Sequence, residues 1–363
     1  MSLSDYLLQL GYDGLDKGVI PDFIVRSTIR ALLRQRLREI DHGSLQANHE
    51  AKMTWIEGLK QRTTIADVPE KANEQHYEVS TAFILSTLGP CAKYSACLFP
   101  TGKETLAEAE ILMLESYCDK AQLRDGLDIL DLGCGWGSLS LYLAKKYPNS
   151  KITGLSNSAT QRKYIYETSK TRGLTNLVIH TGDVNTFDFP ETTRFDRILS
   201  IEMFEHMKNY QILLKKVSTW LKTPESLLFI HIFCHRTTPY HFEEAGEDNT
   251  NWMAKNFFSG GTMPSHDLML YFQDDLTLLR SWYLNGTHYS RTLESWLALQ
   301  DKNGKAGLAE LRADAKAKGL DPIEGDQAFY RFRVFYMACS ELFNFNGGEE
   351  WGVGHYLFKK KAV

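Results

Sequence analysis

Glu202, Glu205 and His206 put two carboxylates and an imidazole into five consecutive residues, directly behind an apolar stretch at 195–201 that reads as a strand. Side chains that follow a strand of an open α/β sheet stand at the edge where such sheets bind their ligands. A carboxylate there can draw in a cation, and a base within hydrogen-bond reach can accept a proton from it. Each residue alone has a plainer reading. Glu205 could be the first-turn acid of a helix, worth about 0.3–1 kcal/mol through the helix dipole, and His206 a surface or core-edge histidine. Taken singly, each of these plainer readings prevails.

The second chemical feature is the glycine loop Asp131-Leu132-Gly133-Cys134-Gly135-Trp136-Gly137. Glycine lets the chain turn sharply from strand to helix and lets a ligand approach the backbone closely. By itself such a loop could serve a dinucleotide, a nucleoside or only a tight turn. A dinucleotide site separates its last two glycines by two residues and places an acid about 20 residues further on. Here the spacing is G-x-G-x-G, and the next strand ends Gly154-Leu155-Ser156-Asn157-Ser158, with no Asp or Glu. Asp131 ahead of the glycines gives the D/E-x-G-x-G-x-G pattern of loops that take S-adenosylmethionine, and that is the cofactor expected. Asp183, behind the third strand, has two readings that both stand: an acceptor for an adenine amino group, or a turn cap.

Strands alternating with helices must hold these segments. Short apolar runs at 128–132, 151–155, 177–180, 195–201 and 227–233 read as strands; 138–146, 158–172 and 207–222 read as helices. That alternation predicts parallel βαβ units. Residues 1–75 read as helical, with Phe23, Ile24, Thr28, Ile29, Leu32 and Leu33 at helical spacing, and 105–123 is a helix opened by Thr105 with Glu108 as a capping box. Beyond the fifth strand, 235–275 resembles a loop or lid, 276–284 a strand, 292–320 and 326–344 helices, and 356–358 a final short strand. The expected organisation is an N-terminal helical region at 1–75, a cofactor-covering helical segment at 76–124, a binding core at 125–233, and a substrate cap with the last strands at 234–363.

Composition excludes several classes. Of 363 residues 43% are apolar and 24% charged, with a net charge of −4; the pI is near 6.3 and the mean hydropathy −0.32. No basic stripe marks a nucleic-acid partner; the basic groups at 30–38 and 359–361 read as solvated faces. The six cysteines form no C-x-x-C pair and no zinc spacing, so no metal is expected and the compartment reads as the reducing cytoplasm. Neither a secretory signal in 1–11 nor an apolar run of about 18 residues is present, so no stable membrane association is expected. A homodimer is compatible with all of this.

Further segments carry a family resemblance. His76-Tyr77-Glu78, the glycine loop, 154–158, the run Ile201-Glu202-Met203-Phe204-Glu205-His206-Met207-Lys208-Asn209-Tyr210, Tyr271-Phe272-Gln273-Asp274-Asp275 and 346–351 follow one another in one order. In this the chain resembles the cyclopropane-fatty-acid-synthase-like methyltransferases, and within them the plant coclaurine N-methyltransferase group, which methylates benzylisoquinoline and related alkaloid amines. The resemblance runs from about residue 75 onward, and more loosely over the N-terminal helices. It implies an α/β fold: the seven-stranded, Rossmann-like class I methyltransferase sheet, with N-terminal helices and a helical substrate-cap insertion. It also implies S-adenosylmethionine as cofactor, S-adenosylhomocysteine as product and a small amine as substrate. Tyr94, Ser95, Asp131, Gly133, Gly135, Asn157, Gln161, Asp183 and Val184 fall at cofactor positions. Glu202, Glu205 and His206 fall at substrate-facing ones, Tyr77 and Glu78 at a tyrosine–acid pair near the amine, and Phe335 at a pocket aromatic.

The resemblance leaves amine nitrogen or lipid alkene to decide. It implies that cyclopropane synthases hold a bicarbonate base through a cysteine in a Tyr-Ser-Cys segment, a glutamate–histidine pair, a histidine on the fifth strand and a C-terminal tyrosine. Here Tyr94-Ser95-Ala96 lacks the cysteine, with Cys97 one place too far, and the tyrosine position falls near Val334 or Phe335. His231 is present on the fifth strand, where the plant N-methyltransferases tend to carry an acid. The incomplete set favours amine methylation; His231 keeps methylation of an unsaturated lipid as the alternative. An alkylamine has a pKa of about 10.4, so holding it neutral at pH 7 costs roughly 4–5 kcal/mol. Glu205 and His206 are expected to orient and deprotonate it, with Glu202 or Glu78 holding positive charge. Among Trp252, Phe257, Phe258, Tyr271, Phe272, Trp282, Tyr283 and Tyr289, some are expected to line a pocket for a flat amine by stacking and cation–π contact.

Overall fold

The computed structural model describes residues 3–65, 80–242, 252–257 and 260–361. Its first helices are α1 (Leu3–Asp16), α2 (Asp22–Glu39) and α3 (Leu45–Lys60). On α2 only Val25 and Leu33 are buried, while Phe23 and Leu32 stay exposed. After α4 (Thr81–Thr87) comes α5 (Leu106–Lys120). Thr105 accepts from the Glu108 backbone and the Glu108 side chain returns to the Thr105 backbone, the capping box read from the sequence.

The alternation then builds the sheet: β1 (Asp128–Leu132), α6 (Ser138–Lys146), β2 (Lys151–Ser156), α7 (Ala159–Thr171), β3 (Leu177–Thr181), β4 (Arg197–Ile201), α8 (Tyr210–Trp220) and β5 (Leu227–His235). A two-stranded ribbon of β6 (Tyr240–His241) and β7 (Thr262–Met263) flanks the short α9 (Trp252–Asn256). The chain continues through β8 (Leu276–Leu284), α10 (Thr287–Lys302), α11 (Gly304–Ala317), α12 (Pro322–Asn344) and β9 (Trp351–Lys360). The seven-stranded order is β3-β2-β1-β4-β5-β9-β8, with β1 to β5 parallel and β9 antiparallel to both its neighbours. Strands buried on both faces send alternate residues to opposite sides. Ile129 and Phe229 join the larger core with α5 and the cap helices, and Leu130, Leu228 and Ile230 join the core under α8.

Three details differ from the pattern reading. The helix expected at 292–320 is two, α10 and α11, parted at Asn303. Helix α8 starts at Tyr210, capped by the Asn209 side chain, so Glu205 is not its first-turn acid but sits in a separate 3-10 turn, Phe204–His206. The last strand has ten residues where three were expected. Gly352 and Gly354 interrupt its apolar run because the chain is crowded there: a Cβ on Gly352 would lie 2.5 Å from the Leu284 carbonyl oxygen.

The cap is pinned to the N-terminal helices by charge. Arg26 pairs with Glu294 on α10 and Glu341 on α12, Arg331 with Asp16, and Arg333 with Asp22, while Arg333 also bonds Asp301 within the cap. No described helix is long and apolar enough to cross a membrane.

Candidate active site

A cleft of about 530 Å³ opens at the carboxyl ends of β1 and β4. The glycine loop forms its floor through Gly133, Cys134, Gly135 and Trp136; 92–95 and Tyr117 cover it, and Asp131, Ser138, Gln161, Ile201 and Glu202 complete the wall. The loop glycines have φ of 81°, 49° and 77° at 133, 135 and 137, the left-handed region that favours glycine. A Cβ added to Gly135 would meet nothing within 4 Å, so its backbone faces open space.

The cleft asks for a polar ligand. Trp136 Nε1, Ser138 Oγ and Gln161 Nε2 are buried on its wall with no hydrogen-bond partner among the described residues, and buried donors are rarely left unmet. They suit a ligand carrying carboxylate, hydroxyl or ring-nitrogen acceptors. Asp131 brings the opposite demand. Burial pushes its carboxyl up to about 6, against hydrogen bonds from Ser140 Oγ at 2.6 Å and from the Ser140 backbone. A positive ligand beside it would restore the charge. S-Adenosylmethionine, with an amino acid carboxylate, an ammonium, a ribose and a sulfonium, meets both demands.

Glu202 stands where cleft, sheet and cap meet. Its Oε1 accepts from the Ala96 backbone N–H at 2.9 Å and lies 2.9 Å from His231 Nε2; its Oε2 accepts from Tyr289 Oη at 2.5 Å. The backbone adopts φ 49°, uncommon for a residue with a Cβ, and the Glu202 N–H bonds the His231 carbonyl at 2.9 Å. Burial raises its carboxyl, opposed first by the nearby Lys93 charge and the Ala96 bond. Lys93, itself buried, donates to Ser95 Oγ at 2.5 Å and to the Ala96 carbonyl at 2.7 Å.

Glu205 and His206 follow in the 3-10 turn. Glu205 is buried and its Oε2 has no hydrogen-bond partner among the described residues; burial first, then the Glu202 charge, pushes its carboxyl well above the usual range. Burial pulls His206 down to about 4. Burial therefore disfavours the charged form of both side chains.

Of the remaining expected residues, Tyr94, Ser95, Gly133, Gly135 and Gln161 line the cleft. Asn157, Asp183 and Val184 lie outside its wall: Asn157 is exposed, Val184 joins the core under α8, and the Asp183 carboxylate accepts from the backbone and side chain of Asn185 in a local turn. Tyr77, Glu78 and Phe258 lie outside the described residues. Phe257 and Phe335 stack at 4.6 Å in the cap. The aromatic group disperses: Phe272 packs on Tyr210 in the core and Trp282 sits on β8 beneath Lys120 and Arg280. A tyrosine hydroxyl reaches Glu202 from Tyr289, in the first turn of α10. Sequence reasoning missed Lys93 and Tyr117, for which no spacing gave a signal.

The family model of mycolic acid cyclopropane synthetase matches residues 66–343. The (S)-coclaurine N-methyltransferase of Thalictrum flavum subsp. glaucum is 39% identical over 352 residues, spanning 96% of this chain and 94% of that protein. The cyclopropane-fatty-acyl-phospholipid synthase of Escherichia coli (strain K12) is 30% identical over 225 residues, 61% of this chain and 54% of its own. Among solved structures, coclaurine N-methyltransferase bound to N-methylheliamine and S-adenosylhomocysteine superposes with a TM-score of 0.90 at 36% identity, covering 98% of this chain and 100% of that one.

Proposed function

The chain belongs to the mycolic acid cyclopropane synthetase family and is an S-adenosylmethionine-dependent N-methyltransferase, and from that premise we propose that it methylates a small alkaloid amine through a site centred on Glu205. The substrate is of the benzylisoquinoline, tetrahydroisoquinoline or phenylalkylamine class. One observation carries this reading: a buried carboxyl oxygen, Glu205 Oε2, stands without a hydrogen-bond partner among the described residues, beside Glu202. A buried unpaired carboxylate calls for a cation, which an ammonium supplies and a lipid alkene does not. The bicarbonate alternative meets a filled site, because Glu202 is already bonded by His231, Tyr289 and Ala96.

S-Adenosylmethionine, when bound in the cleft, supplies an electrophilic methyl group on a sulfonium. Asp131, Gln161, Ser138 and Trp136 hold it. Binding of the ammonium favours the ionised form of Glu205, whose own proton leaves to solvent, and the carboxylate then takes one N–H proton, leaving a neutral nitrogen with a free lone pair. His206, uncharged at neutral pH, orients that nitrogen. Holding the two reacting atoms together then supplies much of the rate. The cap encloses the ring system, with Phe257 and Phe335 as a stacked pair. The same reading places the enzyme in the cytoplasm, where its thiols, all free among the described residues, stay reduced.

The test is methyl transfer from labelled S-adenosylmethionine to a panel of tetrahydroisoquinolines, benzylisoquinolines and phenylalkylamines, with unsaturated phospholipid vesicles alongside. Label on an amine, lost when Glu205 and His206 are both replaced by Ala while cofactor binding persists, is the expected result. Label only in lipid overturns it.

A further inference from the structure

Behind Glu202, a row of titratable side chains crosses the sheet. The register sets it: Ile201 faces His231 across β4 and β5, His231 faces His355 across β5 and β9, and His355 faces Trp282 across β9 and β8. His231 Nε2 lies 2.9 Å from Glu202 Oε1, His231 Nδ1 lies 2.9 Å from His355 Nε2, and His355 Nδ1 lies 2.7 Å from Lys120 Nζ. Lys120 ends α5 and is half-buried, its ammonium 5.3 Å from the centre of the Trp282 ring. The row therefore links a cleft-lining carboxylate to a lysine on the far side of two strands.

The chemistry of the outer end fixes every proton along it. A lysine ammonium has only donors and a neutral imidazole has one N–H. Lys120 must donate to His355 Nδ1. The single His355 proton is then on Nε2 and donates to His231 Nδ1, and the single His231 proton is on Nε2 and donates to Glu202. We propose that Lys120, His355 and His231 are positioning residues for the transfer reaction, orienting a chain of donors that holds Glu202 as an ionised carboxylate at the acceptor end of the cleft. This rests on the reading of Glu202 as part of the amine site.

The surroundings agree. Burial keeps both histidines neutral, well below their usual range. Burial and the neighbouring Arg280 draw Lys120 down to about 8, so it carries its charge at neutral pH and loses it within an accessible range. Other groups facing the row are the Tyr117 hydroxyl, 2.9 Å from His231 Nδ1, the buried Lys93, the Tyr289 hydroxyl on Glu202, and Glu205 with His206. If the Lys120 proton instead passes inward along the row, the row reverses without changing its proton count. Glu202 then carries the proton and donates to His231 Nε2, His231 Nδ1–H donates to His355 Nε2, and His355 Nδ1–H donates to the lysine lone pair.

Two measurements on the full chain decide it. With ¹⁵N-histidine labelling at pH 7, and signals assigned through His231→Gln and His355→Gln, both rings are expected to be protonated at Nε2. In Lys120→Met, His355 should populate the Nδ1–H form, and Lys120→Arg should restore the wild-type tautomers. In parallel, the acid limb of kcat/KM should rise by about one pH unit in Lys120→Met, with cofactor affinity unchanged, and return to the wild-type position in Lys120→Arg. Nδ1-protonated rings in the wild type, or a Lys120→Met profile that superimposes on the wild type, overturn the proposal. If no amine accepts label, the amine reading falls, and the tautomers alone still uphold or overturn the row.

Discussion

Tyr289 Oη donates a 2.5 Å hydrogen bond to Glu202 Oε2, so the first turn of cap helix α10 is tied directly to the residue behind β4. The tie loses a charge-assisted bond when Tyr289 becomes Phe, a loss of about 1.5–3 kcal/mol. Glu202→Ala leaves a histidine, a tyrosine and a backbone N–H unmet together and should cost about 3–5 kcal/mol. In a urea-denaturation double-mutant cycle the two losses should be strongly non-additive; simple additivity would separate the residues.

Gly135 and Gly133 should respond differently to Ala. At Gly135 the new methyl meets no protein atom, and left-handed strain costs about 1–2 kcal/mol. The methyl occupies ligand space, so calorimetric affinity for S-adenosylhomocysteine should fall roughly tenfold or more, a loss of at least about 1.4 kcal/mol. At Gly133 the methyl would lie 2.7 Å from Met203 Cγ, so the larger effect there should be on Tm.

His206 gives a pH signature. Its folded value is about 4 against an ordinary 6.5. Between those values the unfolded chain binds the proton and the folded chain does not, so this residue's contribution to stability falls as pH drops from 6.5 towards 4. Relative to His206→Gln, the wild type should lose at most about 3 kcal/mol across that window. Asp131, raised to about 6, works in the opposite direction, which is why the paired comparison is needed. Parallel stability curves for the two proteins would contradict the burial of an uncharged His206.

Arg26 bonds Glu294 at 2.7 and 2.9 Å and Glu341 at 3.1 Å. Arg26→Gln should lower stability by about 1–2 kcal/mol and raise the amine KM through a loosened cap, leaving affinity for S-adenosylhomocysteine unchanged. A fall in cofactor affinity equal to the rise in KM would show that α2 acts on the whole fold rather than on the cap.

The parallel half of the sheet was legible because its strands are short, apolar and punctuated by capped helices; β1, α6 and β8 match their expected limits. The capping box at Thr105 and Glu108 is a local chemical signal and was read directly. β9 was mostly hidden because close packing requires Gly352 and Gly354 inside it, and these break the apolar pattern. The site split in the same way. Gly133, Gly135 and Glu202 belong to contiguous motifs. His355 and Lys120 reach Glu202 only through strand register and a helix end, neither of which is written in local spacing. Tyr289 was read as a pocket aromatic; that its hydroxyl meets Glu202 follows from the packing of α10 on the sheet.

β9 follows every other strand in the chain, yet it lies inside the sheet, between β5 and β8. Until it inserts, β8 has no place in the sheet and His231 has no His355 beside it, although the two are 124 residues apart in sequence. Pairing at such separation is slow to form because loop closure comes before its contacts are gained. A nascent chain can therefore complete β1 to β5 and the glycine loop while β5 still has an open edge. The residues lining the cleft all precede β5 in the chain, whereas the hydrogen-bonded row behind Glu202 is complete only once β9 has closed the sheet.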